Sequence, residues 1–190
     1  MTARLIYVVG ASGSGKDTLM TYARDKLAGE PQVCFAHRYI TRPAAAGGEN
    51  HVALTPDEFA ARQAAKLFAM HWTSHGLNYG VGIEVNQWLA KGLTVVVNGS
   101  REFLSEARHR YPELLPVTIE VSTDALRKRL LARGREDALA VERRIQRHEA
   151  LRQSAPTGLV IRNDGPVELG GDALVRLIRE QQRQGVATCA

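Results

Sequence analysis

The sequence predicts an α/β domain built on a parallel sheet. Three observations carry this. Two short runs, LIYVV (residues 5–9) and LTVVV (93–97), are apolar but for Thr94, as expected of strands covered on both faces. Strand-like runs alternate along the chain with segments of helical period, the order that builds parallel sheets. Between the first run and the first helical segment stands GASGSGKDTL (10–19), a glycine-rich loop of the kind that cradles phosphate at a helix N-terminus.

The elements follow in order. A helix is predicted over about 16–28, a second strand over VCFAHRYI (33–40) and a loop over TRPAAAGGEN (41–50). In TPDEFAARQA (55–64), Thr55 suits a helix N-cap, Pro56 the first helical position, and Asp57 and Glu58 the positive end of the dipole. The segment LFAMHWTSHGLNYGVG (67–82) gives no clear assignment, and 83–91 reads as helical. After the 93–97 strand come a helix over 102–110, a strand LPVTIEV (115–121), and a helix from Asp124 with Leu126, Leu130 and Leu131 on one face. RGRED (133–137) interrupts that helix, and a charged helix runs on to about 153. GLVIRND (158–164) predicts a last strand, and 172–183 a closing helix with Leu174, Leu177 and Ile178 inward.

A length of 190 residues suits one domain with a real core. With 44% hydrophobic and 24% charged residues, the chain is not of disordered composition. No apolar run reaches membrane-spanning length, and the first residues lack the apolar core of a signal peptide. A cytoplasmic protein with no membrane partner is expected. Cys34 and Cys189 form no C-x-x-C pair, which fits a reducing compartment and argues against zinc. The net charge of +5 suits either nucleic acid or a pocket for small anions. The arginine-rich stretch 127–152 has no aromatic stacking motif, so the small-anion reading is preferred and no nucleic-acid partner is expected.

The loop carries the chemistry. Backbone N–H groups of Gly10, Ala11, Ser12, Gly13, Ser14, Gly15 and Lys16 would surround a β-phosphate. Lys16 would reach the β- and γ-phosphates and follow charge during transfer. With Asp17 and Thr18 these residues form the expected nucleotide site. The motif normally has a hydroxyl directly after the lysine, for Mg²⁺; here that residue is Asp17. Thr18 cannot replace it, because one step along a helix turns a side chain by roughly 100°. Asp17 is open to two readings: an acid favoured by the helix dipole, or a carboxylate ligand for Mg²⁺. The second gains from an absence elsewhere. The 93–97 strand ends in Asn98, Gly99 and Ser100, where related enzymes usually place a metal-directing carboxylate.

With GASGSGKDTL, the Thr41-Arg42 pair with Glu49 downstream, Asn78-Tyr79-Gly80, and the arginine-rich 127–147 segment, the chain resembles the guanylate kinase family of nucleoside monophosphate kinases over nearly its whole length. The resemblance implies a P-loop, nucleoside-monophosphate-kinase-like three-layer fold with a central parallel sheet. It implies a core of about 1–36, 92–132 and 154–190, a small acceptor-binding subdomain of about 37–91, and a helical lid of about 133–153. It implies ATP and Mg²⁺ as cofactors. It places Arg42 and Tyr79 on the acceptor's phosphate, Arg133 and Arg144 on the transferring phosphate from the lid side, and Asn163 near the adenine.

The departures from that family are as informative. Ala44, Ala45 and Ala46 stand where a second arginine is usual, Met70 where a glutamate reads guanine, and Val81 where a serine follows Tyr-Gly. A guanine edge buried against Met70 and Val81 would leave donors unpaired, at about 1–3 kcal/mol each, so GMP is not the expected acceptor. The combined set of GKD, YITRP…GGEN, YGVGIE, VVVNGSR and RGRE is similar to a branch of this family whose acceptor is a phosphosugar. A phosphate acceptor is already an anion and needs no aligning base, only cations and metal. Lys16, Arg42, Arg133, Arg135 and Arg144 supply the cations. Asn98 and Ser100 suit sugar hydroxyls, as does Glu49 with His51 beside it. The remaining arginines, Arg127, Arg129, Arg143, Arg147 and Arg152, fit the solvated face of two helices.

Three other readings stay open: a nucleoside monophosphate kinase of altered base choice, an alcohol kinase sharing the loop, and a guanylate-kinase-like binding module without catalysis. The oligomeric state is also open, a homodimer included.

Overall fold

The computed structural model describes residues 4–46, 49–133, 139, 141–143, 145, 146, 149 and 158–187, with residues 133 and 184–187 described in backbone only. The predicted lid, about 133–153, falls largely outside these residues. The strands are β1 (Leu5–Gly10), β2 (Val33–Phe35), β3 (Arg38–Ile40), β4 (Val52–Ala53), β5 (Phe68–Ser74), β6 (Leu77–Gly82), β7 (Thr94–Asn98), β8 (Leu115–Glu120) and β9 (Leu159–Arg162). The helices are α1 (Lys16–Lys26), α2 (Pro56–Ala64), α3 (Glu84–Ala90), α4 (Leu104–Arg110), α5 (Thr123–Arg133) and α6 (Val167–Ala187).

Five strands form a wholly parallel sheet in the order β2-β7-β1-β8-β9. The apolar run of β1 explains its central place. Ile6 and Val8 pack on one face with Leu19, Met20 and Ala23 of α1 and Leu174 and Ile178 of α6. Leu5, Tyr7 and Val9 pack on the other with Val85 of α3 and Leu104 and Ala107 of α4. Both faces are therefore dry, which is what a strand without polar alternation requires. This is the parallel α/β architecture that the sequence predicts. In register, Val8 lies beside Asn98 and Gly10 beside Ile119, so the C-terminal ends of β1, β7 and β8 gather where the glycine-rich loop begins.

A second, mixed sheet has the order β4-β3-β6-β5. The structure corrects the single strand predicted over 33–40. β2 belongs to the parallel sheet and β3 to the mixed one, with the chain changing sheets at Ala36 and His37. Both halves keep extended geometry, so an apolar run cannot reveal the change. The unassigned segment 67–82 is the β5–β6 hairpin. Its two turn residues, His75 (φ 50°) and Gly76 (φ 74°), are both left-handed, as a two-residue turn matching strand twist demands. The α2 signals hold: Glu58 N donates to Thr55 Oγ1 at 3.2 Å and Thr55 N to Glu58 Oε2 at 2.7 Å, a reciprocal cap. The last helix begins five residues earlier than the predicted 172.

Candidate active site

The loop between β1 and α1 adopts the expected phosphate-cradling form. Gly13 (φ 90°) and Gly15 (φ 82°) are left-handed, which other residues adopt only with strain. A side chain at Gly15 would also meet Asn163 Nδ2 at 2.4 Å. Ser14 is wholly buried, and its Oγ has no hydrogen-bond partner among the described residues. Lys16 opens α1, with its amine in the cleft at the strand ends.

There Lys16, Asp17, Asn98, Glu49 and Arg38 form one network. Lys16 Nζ donates to Asp17 Oδ1 at 3.1 Å and also to Asn98 Oδ1. Asn98 Nδ2 donates to Asp17 Oδ1 at 2.9 Å and to Glu49 Oε2 at 2.5 Å. Arg38 Nε donates to Glu49 Oε1 at 2.8 Å, and its Nη2 to Oε2 of the same carboxylate. Burial disfavours the charge of Lys16 and pulls its pKa down, with Asp17 opposing and Arg38 adding to the effect. Burial also works against the Asp17 carboxylate, but Lys16, Arg38 and the bonds from Lys16 and Asn98 together outweigh it, and the group is held below the usual carboxylate range. Asp17 is therefore an anion beside the loop lysine. Among the described residues no group of three or more His, Cys, Asp or Glu could hold a metal alone, so a cation here would depend on phosphate oxygens as well.

The mixed sheet and the loop beside it carry the residues expected on the acceptor side. His51 ties two candidate residues together: Nε2 lies 3.1 Å from the Arg42 carbonyl oxygen and Nδ1 3.1 Å from that of Glu49. Arg42 Nη2 approaches His51 Nδ1 at 3.4 Å. Tyr79 is stacked on Trp72, with ring centres 5.7 Å apart and planes 3° from parallel, and the Arg38 guanidinium lies over the Tyr79 ring at 5.0 Å from its centre. Met70 and Val81 are fully buried in the apolar cluster beneath the sheet. Ser100 is fixed through its backbone: its N–H donates to Tyr7 Oη at 2.9 Å, and Tyr7 Oη donates back to its carbonyl at 3.3 Å. A side chain at Gly99 would run into the Tyr7 ring at 2.2 Å.

Asn163 is 4% exposed and donates to the Ser14 carbonyl at 2.7 Å, so its amide holds the phosphate loop itself. Arg133 ends α5; its side chain, and Arg135 and Arg144 entirely, lie outside the described residues. Of the candidate residues, the structure thus brings together Lys16, Asp17, Asn98 and Glu49 in one network, and Arg42, Glu49 and His51 in another. Arg38 was not among the residues singled out from the sequence. Its one signal is a charge inside an otherwise strand-like run, four residues before Arg42.

No family model matches the chain. Among solved structures, guanylate kinase from Anaplasma phagocytophilum matches with a TM-score of 0.72 at 16% identity, over 95% of this chain and 87% of that one. The fold and loop accordingly define a P-loop protein of guanylate-kinase-like architecture. "Ribose 1,5-bisphosphate phosphokinase PhnN" of Thiobacillus denitrificans is 55% identical over 177 residues, 93% of each chain. The protein of the same name from Desulfomicrobium baculatum is 54% identical over 183 residues, 96% of this chain and 98% of that one. The chain belongs to the ribose 1,5-bisphosphate phosphokinase family.

Proposed function

We propose that the protein transfers the γ-phosphoryl group of ATP to the 1-phosphate of ribose 1,5-bisphosphate, giving 5-phosphoribosyl 1-diphosphate and ADP, as a step in phosphonate degradation. The observation that carries this is the pairing of an intact phosphate loop with a sealed base site. Lys16 stands ready in the cleft, while Met70 and Val81 are fully buried and apolar. A purine edge there would lose its hydrogen bonds, at about 1–3 kcal/mol per group; a phosphosugar needs none of them.

The mechanism follows from charge. The nucleophile is a phosphate oxygen, already anionic, so no side chain has to remove a proton. What the chain contributes is position and positive charge. Lys16 exchanges its bonds to Asn98 and Asp17 for the β- and γ-phosphates. Arg42, held by His51, and Tyr79, held by Trp72, fix the acceptor phosphate in line. Arg133 and Arg144, which the family resemblance puts on the lid side, would touch the transferring phosphate, with Arg135 adding positive charge. Asn98 and Ser100 face the sugar hydroxyls, with Glu49. When bound, Mg²⁺ neutralises charge on the transferring oxygens, and Asp17 is the residue that would hold it. A cytoplasmic site of action follows from the substrates; among the described residues no helix is long and apolar enough to cross a membrane.

The test is incubation with ATP, Mg²⁺ and separate acceptors: ribose 1,5-bisphosphate, GMP, AMP and gluconate. Formation of ADP with a mass gain on ribose 1,5-bisphosphate alone is expected. Transfer to GMP instead would make the protein a nucleoside monophosphate kinase, and nucleotide binding without transfer to any acceptor would make it a binding module.

A further inference from the structure

We propose that Arg38 and Arg24 form a second anion subsite, which takes the acceptor's distal phosphate, the one that receives no phosphoryl group. This rests on the phosphosugar reading above. A bisphosphate brings two anionic groups into the cleft. Arg42 and Tyr79 account for one, and the second requires cations of its own.

Arg38 has the geometry for it. Its Nε and Nη2 form a two-pronged contact with the Glu49 carboxylate. The same fork grips phosphate, with two parallel N–H···O bonds. Glu49 therefore marks an oxyanion position and stands in for the ligand. Arg38 is aimed by the Tyr79 ring beneath it, and so projects from the acceptor sheet beside a residue of the first phosphate site. Glu49 need not be stranded when it is displaced, because Asn98 Nδ2 already donates to it at 2.5 Å.

The second cation faces the same space. One pocket between α1 and the acceptor sheet is lined by Thr21, Arg24, Arg38, Asn50 and Asn98 and by the carboxylates of Asp17 and Glu49. Arg24 lies against the Phe35 ring at 5.5 Å, and its buried Nε has no hydrogen-bond partner among the described residues. Buried donors without partners are rare in folded proteins and call for a reason. A phosphate entering this pocket would meet that guanidinium on one side and Arg38 on the other. The Thr21 hydroxyl and the Asn50 amide add neutral donors at its wall.

The experiment crosses two acceptors with three variants. Wild type, R38M, R38K and R24M are assayed with ribose 1,5-bisphosphate and with ribose 1-phosphate, which lacks only the distal phosphate. Thermal unfolding confirms that each variant is folded. Wild type is expected to prefer the bisphosphate by about 100-fold in kcat/KM, the worth of one or two charge-assisted hydrogen bonds. R38M should lose most of that preference, read as the ratio of kcat/KM for the two acceptors, whatever its absolute rates. R24M should lose part of it, and R38K should retain part. Ribose 5-phosphate should compete with the acceptor in wild type and fail to do so in R38M. Equal losses on both acceptors, or a wild type indifferent to the distal phosphate, would overturn the subsite while leaving the proposed reaction intact. A wild type that transfers nothing to ribose 1,5-bisphosphate would overturn the reaction and this inference with it.

Discussion

Asn98 holds Asp17: its Nδ2 donates to Asp17 Oδ1 at 2.9 Å, joining positions 81 residues apart. The neutral amide at the end of β7 and the acid at the start of α1 thus share one place in the cleft. This is the arrangement expected if the carboxylate serving the metal has moved from the strand end to the loop. Replacing Asp17 with Ser should raise the Mg²⁺ concentration needed for half-maximal rate by about tenfold or more, if one ligand bond is lost. A carboxylate that only answers the helix dipole would cost a few tenths of a kcal/mol of stability and leave the Mg²⁺ titration unchanged.

The same residue predicts an acid-side signature. Its folded pKa lies below the ordinary 3.8, so its charge stabilises the fold above that value. That contribution is lost as pH falls from 3.8 through the lower folded value. In D17N, the change of stability with pH below 4 should be shallower than in wild type, as read by thermal unfolding across an acid series. Identical slopes would mean that the ion pair with Lys16 carries no stability.

Asn163 should matter for nucleotide binding through the loop. In N163A the Ser14 carbonyl loses its 2.7 Å partner in a buried setting, at about 1–3 kcal/mol. If half of that falls on the bound state, KM for ATP should rise several-fold to about tenfold, with the acceptor KM little changed. Losses equal for ATP and GTP would mark a residue that positions the loop. A loss confined to ATP would mark contact with the adenine.

Restoring a glutamate at position 70 should not restore guanine binding. Met70 is fully buried in an apolar cluster, and a carboxylate there has no partner. M70E should unfold at markedly lower temperature, by the several kcal/mol that an unpaired buried charge costs, and should show no transfer to GMP. GMP turnover by a stable M70E protein would mean that this pocket opens to the cleft.

Tyr7 predicts an alkaline signature. Burial pushes its hydroxyl up to about 12, against the bond from the Ser100 N–H and the charge of Arg38. A raised folded value means that stability is complete below pH 10 and is lost as pH rises from 10 toward 12, by about 3 kcal/mol at roughly 1.4 kcal/mol per unit. Y7F should lack this slope. At neutral pH it should be about 1–3 kcal/mol less stable, because the Ser100 N–H loses its 2.9 Å acceptor.

The central sheet was legible because its strands are dry on both faces. LIYVV and, but for Thr94, LTVVV had to be apolar, and the loop between strand and helix had to be glycine-rich to reach left-handed backbone at Gly13 and Gly15. The mixed sheet was harder to read. β4 has only two residues, and both are exposed. The β5–β6 hairpin turns on His75-Gly76, a weaker turn signal than Asn-Gly. The site divided along similar lines. Lys16, Asp17, Asn98 and Glu49 stand in or beside motifs and meet in space. Arg38 had no motif to announce it, since its importance comes from Glu49, eleven positions downstream, and from Tyr79 on another strand. Asn163 was visible as a position, but its bond to Ser14 joins residues 149 apart and leaves no local trace.

That last bond sets an order on the birth of the molecule. The phosphate loop leaves the ribosome 149 residues ahead of the amide that locks it, which belongs to the residue just past β9. A nascent chain cut short before position 163 would carry every letter of the loop without its clasp. Its grip on ATP would then arrive late and abruptly, as the final strand docks against β8. Nucleotide capture by chains of increasing length would read out the moment at which the loop is clasped.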